Sequence, residues 1–169
     1  ADTNAKRLAR AKLRFKRAGV ENAERLQLTG RDDDPFLKKK ATQFDRVLVD
    51  APCSGTGAWR RHPETKWKAD AGLDRLIALQ QAILARAARM VKRGGRLVYA
   101  TCSLVPAENE AQAGAFLAAH PNFRAIPAES VWTSVLPTPW PCGAPEYLKL
   151  TPARNGTDGF FAAVFERTA

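Results

Sequence analysis

At 169 residues and 45% hydrophobic content, the chain is long enough for one globular core and too apolar to be disordered. A formal net charge of +10 favours a polyanionic partner over a merely solvated basic surface, and nucleic acid is the partner that fits best. Three cysteines without a C-x-x-C pair and only two histidines argue against a disulfide scaffold or a metal site, and suit a reducing cytoplasm; no apolar run is long enough to span a membrane.

In chain order, Asp2-Thr3-Asn4 precedes a basic helix. Leu8, Ala11, Phe15 and Ala18 share one face, with Lys6, Arg10, Arg14 and Arg17 around it. Asn4 is placed to cap that helix and Gly19 to end it. Glu24 to Leu28 reads as a short strand, and Thr29 to Pro35, with Asp32, Asp33 and Asp34, as a loop. The chain starts at Ala1 in what reads as the middle of a fold. It is therefore expected to be a single partial domain, residues 1–169, of a longer protein.

Arg46 to Val49 reads as a strand covered on both faces that stops at an acid, Asp50. Ala51-Pro52-Cys53-Ser54-Gly55-Thr56-Gly57 cannot continue a strand and builds a shaped loop at its carboxyl end, where open α/β sheets hold their ligands. Ala58 to Lys68 interleaves bases with Trp59 and Trp67. Arg60, Arg61 and Lys66 flank the loop as candidates for RNA contact, and His62 lacks the neighbours of a metal ligand. Leu73 to Val91 follows helical spacing that only Gln80 interrupts, and Gly94-Gly95 is expected to end it.

Arg96 to Ala100 then reads as a second strand, ending in Thr101-Cys102-Ser103. Strand, helix, strand makes a right-handed crossover, so the two strands are expected to be parallel neighbours with Cys53 and Cys102 close together. Glu108 to Ala119 reads as a helix, and Pro121 to Pro145 as a proline-rich loop anchored by Trp132 and Trp140. Cys142 has no motif around it and is expected to be chemically silent. Tyr147 to Leu150 and Gly159 to Phe165 read as a closing pair of strands.

Asp50–Gly57 (DAPCSGTG), Thr101–Ser103 (TCS) and the Asp158-Gly159-Phe160-Phe161 element resemble the NSUN/RsmB family of RNA cytosine-5 methyltransferases. The resemblance implies a Rossmann-like α/β fold, a mostly parallel sheet with helices on both faces, and S-adenosyl-L-methionine as cofactor. It implies RNA as substrate, ribosomal RNA in the bacterial type, and no membrane partner. The family's first strand and glycine-rich cofactor loop have no counterpart here, so the chain looks like the C-terminal part of the catalytic domain, with an N-terminal segment expected elsewhere.

Carbon 5 of cytosine is too weak a nucleophile to take a methyl group from a sulfonium unaided. A thiolate added at carbon 6 makes it an enamine, provided N3 receives a proton or hydrogen bond. A free thiol titrates near about 8.5 and needs activation. Asp50 is the candidate partner for N3, and the Pro52 carbonyl for the exocyclic amine. Either cysteine can serve as the nucleophile. A thiol after proline, as in DNA cytosine-5 methyltransferases, indicates Cys53, whereas resemblance to the RNA family indicates Cys102, with Cys53 helping release. The resemblance also places Asp2 on the cofactor ribose and Asp50 beside the cofactor. It leaves open which of Asp32, Asp33 and Asp34 faces adenine. The competing reading is a non-catalytic RNA-binding remnant of a methyltransferase.

Overall fold

Asn4 caps the first helix: its side-chain oxygen accepts from the Lys6 and Arg7 amides, and α1 runs Ala5–Arg17. Gly19, at φ +65°, closes it, with the Val20 amide bonded back to the Phe15 carbonyl. The computed structural model describes residues 1–68 and 72–169 and falls into two compact units, Ala1–Lys40 and Ala41–Ala169. In the first unit the strand expected over Glu24 to Leu28 reduces to one parallel bridge between Asp2 and Gln27. Two backbone bonds, Asp2 to Leu26 and Leu28 to Asp2, join the segments, and the turn into α1 at Asn4 leaves nothing further to pair. Asp34 is buried and caps α2 (Pro35–Lys39), its carboxylate accepting from the Thr29 amide and hydroxyl and from the Phe36 amide.

The second unit carries the sheet. β1 (Phe44–Asp50) pairs in parallel with β2 (Val91–Thr101), setting Val47 opposite Leu97 and Asp50 opposite Ala100. Helix α3 (Leu73–Ala88) connects them and buries Gln80, Leu84, Ala87 and Ala88. It ends before Gly94-Gly95, contrary to the expectation that these glycines stop it. They instead form an irregularity inside β2, where Gly94 takes φ +72° and a Cβ on Gly95 would lie 2.8 Å from the Lys92 carbonyl oxygen.

The expectation of cover on both faces of the first strand also fails. Val49 is buried in the core beside Leu84 and Ala87, but Leu48 on the opposite face is 69% exposed. The remaining pairings are antiparallel. β5 (Phe160–Arg167) lies between β2 and β3 (Phe123–Ile126), and β4 (Leu148–Leu150) also pairs along β5. Within this five-stranded sheet, parallel pairing is thus confined to β1 and β2, the strands that carry both cysteine motifs.

A 3-10 turn at Pro106–Glu108 precedes α4, which spans Glu110–Ala119 and so starts later than expected. The stretch read as an unstructured proline-rich loop contains β3 and α5 (Ala128–Val135). β3 is four residues long and owes its order to pairing with β5, which no local periodicity signals. Trp132 and Trp140 do meet, edge to face at 5.9 Å. The closing strands pair as expected, with a short helix, α6 (Pro152–Asn155), between them. Tyr99, Phe161, Phe165, Leu84 and Leu97 fill the core. Among the described residues no helix is long and apolar enough to cross a membrane.

Leu84 is 1% exposed and Leu79, on the same helix, 41%. Leu84→Ala is expected to destabilise by about 2–5 kcal/mol through lost burial and a residual cavity. Leu79→Ala should cost well under half of that. Denaturant unfolding of the two variants measures the contrast.

Candidate active site

β1 and β2 end side by side, so the loops that follow them face each other. Cys53 Sγ lies 3.4 Å from Cys102 Sγ, both thiols free and half-buried. Glycine makes this approach possible. The Gly57 amide donates to the Cys102 carbonyl at 2.9 Å and the Gly159 amide to the Gly57 carbonyl at 2.9 Å. A Cβ on Gly57 would stand 2.5 Å from the Gly159 oxygen and 2.7 Å from the Cys102 oxygen.

Beneath the thiols runs a buried polar network. The fully buried Glu108 carboxylate accepts from the Ser54 amide (2.9 Å), the Ser54 hydroxyl (2.6 Å), the Ser103 hydroxyl (2.5 Å) and the Gln80 amide (2.9 Å). Gln80 Nε2 also donates to the Pro52 carbonyl at 2.9 Å, and Gln112 Nε2 donates to Gln80 Oε1 at 3.2 Å. Tyr99 donates its hydroxyl proton to the Glu108 carbonyl, and burial pushes its titration upward. Asn109 accepts from the Thr101 hydroxyl and donates to the Ser103 carbonyl.

The two thiols titrate apart. The hydrogen bond from Cys53 brings Cys102 down to about 7, against the opposing effect of partial burial and of the Asp50 and Glu108 charges. The same bond, together with burial, pushes Cys53 upward. Near neutrality the pair can present one thiolate on Cys102, with a protonated thiol beside it. A nucleophile and an adjacent proton donor are the two parts that addition and elimination on a ring carbon require.

Of the other residues singled out in the sequence, Asp50 is exposed at the carboxyl end of β1, near enough for its charge to act on Cys102. The Pro52 carbonyl keeps one lone pair beyond its bond from Gln80. Arg60 donates to the Gly156 carbonyl at 3.0 Å and Arg61 to Asp158 at 2.5 Å, so both guanidinium groups fasten the 60–61 turn to the 156–158 turn. Trp59 is half-buried, Trp67 is 85% exposed, and Lys66 Nζ lies 6.0 Å from the centre of each ring. In the first unit, Asp2 accepts from the Asn4 amide at 2.8 Å, and Arg7 approaches it at 3.8 Å. Asp34 is committed to its cap, and the Thr29 amide in particular holds it below the usual carboxylate range; Asp33 pairs with Arg31. Cys142 is held by backbone alone, its sulfur between the Lys149 amide and carbonyl. No group of three potential metal ligands occurs among the described residues.

Glu108 was missed as a site residue. In the sequence it opens an apparent helix, and its one signal is the polar Gln80 on an otherwise apolar helix face.

The model of the family described as 16S rRNA methyltransferase RsmB/F matches residues 1–166. Ribosomal RNA small subunit methyltransferase B of Sodalis glossinidius (strain morsitans) is 40% identical over 163 residues, which cover 96% of this chain and 34% of that protein. The chain thus spans about a third of the length of the curated relatives it matches. The crystal structure of PH0851 superposes with a TM-score of 0.83 at 33% identity, covering 98% of this chain and 36% of the other. NSun6 from Pyrococcus horikoshii, solved with SFG, superposes with a TM-score of 0.76 at 24% identity, over 99% and 40% of the two chains; that likeness bears on the fold alone.

Alkylation of Cys102 by iodoacetamide, followed by mass spectrometry across pH, should rise with a midpoint of about 7 and level off above it. Because the lowered value rests on the Cys53 hydrogen bond, Cys53→Ala should move the midpoint up toward the ordinary thiol value of about 8.5. An unmoved midpoint would show that the neighbouring thiol does not activate Cys102.

Proposed function

Since the chain belongs to the 16S rRNA methyltransferase RsmB/F family, we propose that it is the C-terminal part of the catalytic domain of a cytoplasmic enzyme that methylates carbon 5 of a cytosine in ribosomal RNA. The observation that carries this reading is the pair of free thiols 3.4 Å apart, one of them titrating near neutrality, at the ends of two parallel strands beside Asp50.

The cofactor implied, S-adenosyl-L-methionine, carries a sulfonium cation and ribose hydroxyls, and carboxylates are the fitting partners for both. Asp50 offers one at the exposed strand end; Asp2 uses Oδ1 on the Asn4 amide and leaves Oδ2 to a loose approach by Arg7. In this reading Asp50 lines the cofactor and base pocket, and the Asp2 carboxylate, taken within its own unit, suits a ribose hydroxyl. When bound, the cofactor supplies an electrophilic methyl group.

The Cys102 thiolate adds to carbon 6 while Asp50 holds the proton or hydrogen bond at N3, so the ring's electron pair becomes available at carbon 5. The Pro52 carbonyl accepts from the exocyclic amine and selects cytosine. After methylation the carbon 5 proton passes to solvent water as the base, its electron pair re-forms the ring double bond, and sulfur leaves carbon 6 as a thiolate. Cys53, a proton donor to the same sulfur, assists that departure. A base within folded RNA must leave its stack to reach the pocket, and in this reading Arg60 and Arg61 hold the neighbouring phosphates. Their contacts to the 156–158 turn are exposed ones of small net worth, about 0–1 kcal/mol, which a phosphate can replace.

The test is a denaturing gel of the full-length protein with RNA and cofactor. A covalent protein–RNA adduct should accumulate in Cys53→Ala and vanish in Cys102→Ala. The reverse pattern would move the nucleophile to Cys53, as in a DNA-type enzyme. RNA binding without any adduct in either variant or in wild type would favour a non-catalytic RNA-binding remnant.

A further inference from the structure

Glu108 lies outside every motif that carries the proposed chemistry, yet its carboxylate draws bonds from three parts of the chain around the thiols. It is fully buried, and its two oxygens receive four donors from three separate segments. Oε1 takes the Ser54 amide from the loop after β1 and the Gln80 amide from α3. Oε2 takes the hydroxyl of Ser54, next to Cys53, and the hydroxyl of Ser103, next to Cys102. A buried carboxylate without its donors is costly, so each loop is held where it can keep its bond.

We propose that Glu108 is a positioning residue: its carboxylate fastens the Cys53 loop to the Cys102 loop and so sets the 3.4 Å sulfur-to-sulfur contact. This inference rests on the reading of Cys102 as the reactive thiol. The backbone around Glu108 is secured independently. Tyr99 holds its carbonyl, and Asn109 ties Thr101 to the Ser103 carbonyl. The side chain is therefore free to specialise in joining the loops.

A through-space effect of the Glu108 charge is the competing account, and it has the opposite sign. The titratable and charged groups acting on Cys102 are Cys53 from the loop after β1, Asp50 at the end of β1, and Glu108 itself. As a bare negative charge, Glu108 makes thiolate formation harder. Neutralising it would then lower the Cys102 midpoint, and shortening it would change little. As a fastener, Glu108 makes thiolate formation easier, because it keeps Cys53 within hydrogen-bond reach. Shortening it by one methylene keeps the charge but forfeits the reach to both serines. An amide at the Oε2 position donates where the carboxylate accepted, so the Ser54 and Ser103 hydroxyls must both turn round, and Ser103 Oγ, which already accepts from the Val105 amide at 3.0 Å, has one lone pair left for it.

The experiment is the pH profile of Cys102 alkylation by iodoacetamide in the full-length protein, for wild type, Glu108→Asp and Glu108→Gln. Thermal unfolding is recorded on each. Both variants should move the midpoint up from about 7 toward the ordinary thiol value of about 8.5, slowing alkylation at neutral pH by about tenfold. Glu108→Asp carries the test should Glu108→Gln not fold. An unchanged midpoint in Glu108→Asp, or a lowered one in Glu108→Gln, would overturn the proposal. The readout needs neither RNA nor methyl transfer, so its failure is distinguishable from failure of the proposed reaction.

Discussion

The structure around the thiols depends on one constraint: a carboxylate removed from water must keep its hydrogen bonds. Glu108 meets that constraint with donors from Ser54, Ser103 and Gln80, and each donor belongs to a different piece of the chain. Separating the pieces would strand a buried charge, a penalty of several kcal/mol that exceeds the worth of any one contact it makes. The loops after β1 and β2 therefore behave as one body, and Gln80 extends that body to the Pro52 carbonyl and, through Gln112, to α4. The close backbone approach at Gly57 and Gly159 adds a second, steric condition to the same geometry.

Rigidity here has a chemical consequence. Two identical side chains, both half-buried, are made unlike within one shared contact: Cys102 is held below the ordinary thiol range and Cys53 is pushed up. The difference is carried by a 3.4 Å contact and is sensitive to any loosening of the loops. A single arrangement thus sets two unlike thiols side by side, with no group of three potential metal ligands among the described residues. The chain as a whole carries a net charge of +10, and Arg60 and Arg61 brace the loop against the 156–158 turn.

Much of this was legible before the fold was known. Apolar runs broken by Asp50 and Thr101 mark two strand ends, and the helical spacing from Leu73 onward marks the crossover that makes the strands neighbours. The Asn4 cap and the Gly19 stop are local chemistry and are found where the residues indicate. Elements whose order comes from distant partners were not legible. β3 exists because β5 pairs with it; the Gly94-Gly95 irregularity belongs to a strand and not to a helix end; and Glu24 to Leu28 finds a single bridge where a strand was expected. The exposure of Leu48 on β1 depends on what packs over that face, which the strand's composition does not record.

Residue order alone therefore settles which chemistry is present: an acid, a proline and a thiol after one strand, a second thiol after the next, and a helix long enough to bring them together. These are matters of side-chain type and local periodicity. Which thiol ionises first, and what holds the two in contact, follows from neighbours far apart in the chain. Ser54 meets Glu108 across 54 positions and Cys53 meets Cys102 across 49. Titration and positioning are set by burial and by donors within hydrogen-bond reach, and those distances exist only once the chain has folded.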